Sequence, residues 1–552
     1  MSTGLRIGTP VGTITAPVAT AESGVTTSGL TANWNAVSGV NGYYLDVATD
    51  IGFTTFVSGY ENLFIGNALT KVVTGLSSGQ AYYYRVRSSN GYQVSTSSNV
   101  ISTATLYGYT LTSTGSGAGV STMELLVSNT TVITLSGTAR FYSDAACTLD
   151  ESSIWTVTAG ARRKRYLKCP SGTSNLLFSN INYIIEWGTQ YSYYGWVSGD
   201  NAALLSGSDF LLTNVLKVNI YGNNTLSFNV NTLPSNCTFF SCDGSNTING
   251  SIADVPTNIE YLYLGGNNIL SGNIRNIPST LIQLYCAGFN TLSGNISNLP
   301  ATLTSFYVVG NNTINGALAD LKEGLLSFSI YSSGITGSLA DLPSTLVELV
   351  IHGVNTISGD ISYLNAGMTI LDLANGTLNI TGNLSDLPSA MERFMINGTG
   401  VSVTGDLSSL PSTIQRFSVT GVNTIIGNLS SIPASCTYFW VLGYNTISGS
   451  LNSLPAGMRI FNLGGNTTVS GYTAGKTWSS AMNTFTFIPS TGSGLSTTEV
   501  DNLLIDFAAS DWNTYGSGAG MIDCTGINAA RSSASDAAVV ALIAKNVGVT
   551  TN

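Results

Sequence analysis

Charge is scarce in this chain of 552 residues. It has 19 Lys+Arg, 29 Asp+Glu and 1 His, which leaves 9% charged residues and a net charge of −10. An ordinary soluble domain is about one-quarter charged. So acidic a chain, with so few cations, excludes nucleic-acid binding as its main task, because phosphate neutralisation needs many Lys and Arg. The single imidazole, His352, removes most acid–base and metal chemistry, and any Ser-His-Asp triad would have to use it. The 7 cysteines are scattered and form no Cys-x-x-Cys pair, so a zinc or thioredoxin-like centre has no support. Cys147 and Cys169 form one bridge or are, like the others, buried thiols. No apolar run reaches about 18 residues, so no membrane-spanning helix is expected. The N-terminus carries one basic residue and no apolar stretch of export-signal length. The Gly-rich stretch Gly115–Gly119 lacks the lysine and the strand–loop–helix context of a phosphate loop. No cofactor and no enzymatic activity are expected.

What is present is apolar and regular. Hydrophobic residues make up 43% of the chain, aromatics 9%, and there are 61 glycines, so a packed chain is expected rather than a disordered one. Residues 1–15 read as an arm without periodicity. Residues 16–106 alternate with period two in Tyr43–Thr49 and Tyr82–Arg87, as half-buried antiparallel strands do. Leu76, Gly79 and Tyr82 have the spacing of a tyrosine corner, in which the hydroxyl bonds backbone just upstream. Residues 107–196 form a second β unit, with strands within Val127–Tyr142 and over Ser153–Val157. Its basic run, Arg162 to Arg165 with Lys168, is an anion contact or a charged edge strand kept from pairing. Tyr183, Trp187, Tyr191, Tyr193, Tyr194 and Trp196 make an aromatic binding patch or a seal over the first repeat.

Residues 197–495 repeat. Gly250, Gly272, Gly294, Gly316, Gly337, Gly359, Gly382, Gly405, Gly427, Gly449 and Gly471 recur every 21 to 23 residues. Proline follows most of them six positions on, as at Pro256, Pro278 and Pro300. An Asn precedes most of them by four: Asn246, Asn268, Asn290, Asn312, Asn355, Asn423 and Asn445. Apolar residues recur in step, as in Leu281, Leu284, Cys286 and Leu292. A unit this short has no core alone and must stack on its neighbours, with the Asn side chains as a ladder for unpaired backbone groups. The Ile or Leu two after the glycine, as Ile274 and Ile296, belongs to a short second strand. Ser496–Glu499 reads as a capping box opening a helix to about Ala509. Met521–Cys524 then reads as a strand, Ala530–Asn546 as a helix and Val547–Thr551 as a last strand. Residues 496–552 thus cap the solenoid with α and β elements.

The pattern L-x-x-L-x-L-x-x-x-N-x-L-x-G-x-I resembles the leucine-rich repeat, and Leu292–Ile296 is similar to its L-S-G-x-I-P variant. The segment from Trp34 to Asn90 resembles a fibronectin type III domain, most of all those of Bacteroidota and their phages, and implies a β-sandwich that binds or spaces. The fold expected is therefore mainly β: a sandwich, a second β domain, and a solenoid with an α/β cap.

In such a strand the residues flanking the second apolar position point away from the core. They are Tyr261 and Tyr263, Gln283 and Tyr285, Ser305 and Tyr307, Glu348 and Val350, Arg393 and Met395, Arg416 and Ser418, then Tyr438 and Trp440. Tyr263, Tyr285 and Tyr307 fall in register and would stack as a ribbon, serving a ligand or only steadying neighbouring strands. The acids Asp320, Asp341, Asp360 and Asp386 sit on repeat loops. The resemblances, with a bare Met start and no export signal, imply a phage virion surface protein, a head or tail fibre held through its N-terminal arm to other virion proteins. Its partner would be host-surface polysaccharide or protein, and a homo-oligomer would form through the arm or the β units. The other readings are a bacterial cell-surface or extracellular adhesin, and an architectural filament or spacer without ligand.

Overall fold

The computed structural model describes residues 13–77, 79–113, 119–127, 131–136, 140–143, 147–158, 160, 163–169, 172–178, 184–188, 204–206, 216–224, 227–244, 247–469, 471–512 and 520–552. It divides into two units, Met1–Thr247 and Ile248–Asn552. Residues 1–12 of the expected arm, most of the aromatic cluster around Tyr191, and Gly115 and Gly117 of the Gly-rich stretch lie outside the described residues.

In the first unit, strands β1 (Ala19–Ser23), β2 (Gly29–Trp34) and β5 (Thr70–Thr74) form one antiparallel sheet in the order β1-β2-β5. Strands β3 (Gly42–Ala48), β4 (Leu63–Gly66), β6 (Ala81–Ser89) and β7 (Ile101–Ala104) form another, in the order β4-β3-β6-β7. Alternate residues of both turn inward and close one core of Leu30, Trp34, Tyr43, Leu45, Val47, Val73, Tyr82, Tyr84 and Val86. This is the sandwich that the period-two pattern predicts. The tyrosine corner forms as expected: the Ser77 N–H donates to the Tyr82 hydroxyl at 2.8 Å.

The strand-like run after Val127 resolves into Thr131–Ser136 and Arg140–Tyr142, followed by Ile154–Val157. The basic run corrects one expectation. Arg163–Cys169 is no edge: it pairs on one side with Arg140–Tyr142 and on the other with Gly119–Val127. Its charges therefore do not serve to block pairing. Further on, Ile184–Gly188 pairs antiparallel with Gly119–Val127 and parallel with Lys217–Asn224, which in turn pairs parallel with Phe239–Gly244. Antiparallel pairing thus gives way to parallel coils within the first unit.

The second unit is a solenoid of stacked parallel coils, as the repeat pattern predicts. Each coil contributes a strand to one continuous parallel sheet, from Tyr261–Asn273 through Gln283–Asn295 and Ser305–Ala317 to Ile460–Val469 and Thr484–Gly492. The residues at the Leu positions are fully buried. Phe306 stacks on Phe328 at 5.6 Å and, after Leu349 and Leu371 in the same column, Phe394, Phe417, Phe439, Phe461 and Phe485 follow at 5.2–5.9 Å. The Asn ladder exists and bridges coils. Leu270 N–H donates to Asn290 Oδ1 at 2.9 Å, Leu292 N–H to Asn312 at 2.9 Å and Ile425 N–H to Asn445 at 3.0 Å. The Asn290 amide donates in turn to the Val309 carbonyl at 3.0 Å. A buried backbone group with no water needs such a partner.

The residue after most of these glycines carries a role that the pattern had not revealed. Asn273, Asn295, Asp360, Asn383, Asp406 and Asn428 each accept a backbone N–H two residues on and so cap a 3-10 turn. The Ile or Leu two after the glycine opens that turn, as Ile274 and Ile296 do, rather than joining a strand. A bare Cα is required before the cap: at Gly294 φ is +118°, and a Cβ would meet Asn273 Oδ1 of the coil below at 2.6 Å.

At the far end Ser496 and Glu499 form the expected capping box at the start of α1 (Thr497–Ala509). Phe507 of α1 covers the last coil, with ring centroids 4.9 Å from Phe485 and 4.6 Å from Trp478. Gly520–Cys524 and Val547–Thr551 extend the parallel sheet. Helix α2 is shorter than expected, Asp536–Ala544, because Ser532 caps a 3-10 turn over Ser533–Ser535 first.

Candidate functional site

Strands of the solenoid sheet show one face to the core and the other outward, and side chains at matching positions line up across coils. In register, the first outward column runs Tyr261, Gln283, Ser305, Ser327, Glu348, Ile370, Arg393, Arg416 and Tyr438. The second runs Tyr263, Tyr285, Tyr307, Ser329, Val350, Asp372, Met395, Ser418 and Trp440. All fourteen positions expected to point outward therefore lie in these two columns, and the aromatic, polar and charged residues among them fall into three groups.

The first group is aromatic. Tyr285 and Tyr307 stack with centroids 4.4 Å apart and planes 8° from parallel. Tyr263 stands beside Tyr285 in register, and its hydroxyl donates to Gln283 Oε1. Two of the three rings of the predicted ribbon thus stack, and Gln283 is tied to the third; Tyr261 lies half-buried beside Gln283.

The second group is ionic, and the sequence pattern did not reveal its centre. Asp372 lies outward in the second column yet is 1% exposed. His352 Nε2 donates to its Oδ1 at 3.0 Å, and Arg393 Nη2 donates to Oδ2. His352 is the last residue of its strand, Glu348–His352, so it points to the same face in a third outward column. Tyr331, its partner in register, sets its ring edge-on against the imidazole at 4.6 Å. Glu348 accepts from the Ser327 hydroxyl at 2.9 Å. Burial pushes the Tyr331 hydroxyl pKa up, and the Tyr307 hydroxyl and the Asp372 carboxylate push it further the same way. A carboxylate placed between Val350 and Met395 in register persists only because two donors share its charge. The one available signal was the acid in Ile370-Leu371-Asp372-Leu373, the one charged residue in a column of rings, hydroxyls and apolar side chains.

The third group is Arg416, Tyr438 and Trp440. The two rings lie side by side, 6.3 Å between centroids and 15° between planes. Burial raises the Tyr438 pKa, while Arg416 beside it acts the other way. Ser418, expected to face out, is 1% exposed, tucked between Met395 and Trp440, and its hydroxyl donates to Asn397 at 3.0 Å.

Among the described residues, Asp372 is the one side chain hydrogen-bonded to His352, so no hydroxyl or thiol completes a triad there. Cys286 and Cys436 face the core, and burial pushes both thiols up to about 12, far from the thiolate that would be reactive. Cys147 is buried too, and the side chain of Cys169 lies outside the described residues. No described helix is long and apolar enough to cross a membrane.

The chain matches no protein-family model and no curated protein. Among solved structures it is similar to a plant peptide hormone receptor, RGFR1 in complex with RGF2, at 18% identity and a TM-score of 0.38. The match covers 63% of this chain and 59% of the receptor chain, so the chain spans less than two thirds of that protein's length.

Proposed function

We propose that this chain is a recognition protein that adheres, without covalent chemistry, through the outward face of its parallel solenoid sheet. The observation that carries this reading is the grouping on that face. Stacked tyrosines, an ion cluster built on a buried Asp372 and a Tyr438–Trp440 pair stand side by side on a rigid frame. Aromatic residues and Arg concentrate where protein surfaces bind. Rigid presentation lowers the entropy lost on binding, and many copies on one particle would add avidity.

In the finer reading the sandwich of residues 16–106 is a fibronectin type III domain and the whole is a phage head or tail fibre contacting host-surface polysaccharide or protein. The strand order of the two sheets and the tyrosine corner support the domain assignment. The resemblance of that segment to phage and Bacteroidota modules supports the particle. A bacterial surface adhesin and a ligand-free spacer are the competing readings.

The test is adhesion of the purified chain to intact Bacteroidota cells, beside a variant with Tyr263, Tyr285 and Tyr307 all changed to Ala. Binding that drops in the variant supports the face. Unchanged binding removes the tyrosine ribbon from it, and no binding by either protein favours the spacer. Immunogold labelling of purified particles against labelling of whole cells separates virion from adhesin.

A further inference from the structure

The two arginines of the outward face are not equivalent. Arg393 and Arg416 are cross-strand partners in the first column, on strands about 4.8 Å apart. Like charges placed directly opposite each other destabilise a sheet. Asp372 offsets only one of them: it takes Arg393 and His352. Arg416 is exposed, and its guanidinium has no hydrogen bond or ion pair among the described residues. Acids outnumber bases 29 to 19 in this chain, so a counter-charge was readily available. The next position in register holds Tyr438 instead, with Trp440 beside it.

We propose that Arg416 and the Tyr438–Trp440 pair form a subsite for an acidic polysaccharide built of uronic-acid units. This rests on the recognition reading and names its ligand class. The two stacked, half-buried rings offer apolar carbon surface to the C–H face of a pyranose. The guanidinium fork of Arg416 matches the sugar carboxylate, which accepts two parallel N–H bonds. Asp372 neutralises Arg393, so Arg416 is the cation of this pair left to meet an outside anion. An extended peptide fits less well. The sheet strands already pair with each other, so this face offers no free main-chain groups to a peptide, which is where strand-addition recognition gains its affinity.

The experiment titrates the full chain with an oligogalacturonate, a neutral glucan oligomer of equal length and a poly-glutamate peptide, following Trp fluorescence and calorimetric heat. Oligogalacturonate is expected to bind, and to bind about tenfold more weakly after Arg416→Ala or Trp440→Ala. Arg416→Lys keeps the charge but loses the fork, so it is expected to fall between. Raising ionic strength to about 1 M should weaken binding as well. Unchanged thermal unfolding of each variant shows that the loss is local. Equal binding of the neutral glucan overturns the anion site, and equal binding of poly-glutamate overturns the sugar platform in favour of an acidic peptide. No binding of any of the three overturns the subsite. Cell adhesion that survives Arg416→Ala while oligogalacturonate fails to bind sinks this proposal and leaves the recognition face standing; loss of adhesion in the Tyr variant with none in Arg416→Ala does the same.

Discussion

The sandwich and the solenoid solve one problem in two ways. Both bury backbone groups that their turns leave without a partner. The sandwich answers with individual tyrosines. Tyr43 Oη accepts from Val37 N–H at 2.8 Å, Tyr82 Oη from Ser77 N–H at 2.8 Å, and Tyr84 Oη donates to the Thr20 carbonyl. The solenoid answers with one residue type, repeated: Asn268, Asn290, Asn312, Asn355, Asn423 and Asn445, each joining its coil to the one before. A set of unrelated bonds ties a sandwich into one cooperative body. A repeated bond makes a chain of neighbour-to-neighbour contacts whose stability is close to a sum.

Core truncation puts the largest strain on this contrast. Tyr84 and Phe417 are both fully buried. Changing either to Ala is expected to cost about 3–5 kcal/mol in denaturant unfolding. Hydrogen exchange should separate them. Tyr84→Ala is expected to speed exchange over the whole sandwich, whereas Phe417→Ala should act most on the coils of Phe394 and Phe439, with which it stacks. Exchange that rises evenly over residues 248–552 in the second variant would sink the one-dimensional account.

The polar devices come next. Asn423 is fully buried; its Oδ1 accepts from Val403 N–H at 3.0 Å and its Nδ2 donates to the Leu442 carbonyl at 3.2 Å. Asn423→Ala strands both groups, and a loss of about 2–4 kcal/mol is expected. Tyr82→Phe strands only the Ser77 N–H, near the surface, and about 1 kcal/mol is expected. If the two variants melt alike, the repeated ladder is no stronger than the single corner.

That same contrast explains what could be read in advance. A device used many times leaves a period, so the coils, their glycines and the ladder were visible in the residues themselves. Its exceptions were less so. Ser332 takes the place of an Asn, accepting from Ile314 N–H at 2.9 Å. Leu378 and Val401 replace it with buried apolar side chains, in the two coils whose glycines are spaced by 23 residues. There the extra residue lets backbone serve backbone, as where Thr377 N–H donates to the Asn355 carbonyl at 2.7 Å. The caps after the glycine were in plain view as Ser, Asn or Asp, but their role depends on the 3-10 turn that each one opens. On the outward face, alternation placed Tyr285, Tyr307, Arg393, Arg416 and Trp440 correctly. Asp372 escaped because its importance comes from His352 on the strand before and Arg393 on the strand after, contacts that no single coil contains.

The smallest expected effect is one of pH, and it sharpens the comparison within the solenoid itself. Two caps are aspartates: hydrogen bonds from Ser362 hold Asp360, and those from Ser408 hold Asp406, below the usual carboxylate range, with slight burial opposing. The capped 3-10 turns at Asn295 and Asn428 are built alike, hold no acid and cannot titrate. A carboxylate whose pKa is depressed in the folded state adds stability above its unfolded pKa, and that stability is lost as pH falls through the folded value. The wild-type solenoid should therefore weaken from about pH 4 downwards, beyond the general loss that all carboxylates contribute. Asp360→Asn with Asp406→Asn keeps both caps and removes both titrations, so its stability should decline less over that range while matching the parent at neutral pH. An unfolding midpoint that falls equally in parent and variant would mean that these aspartates, like the asparagines beside them, act by hydrogen bonding alone and that their charge contributes nothing.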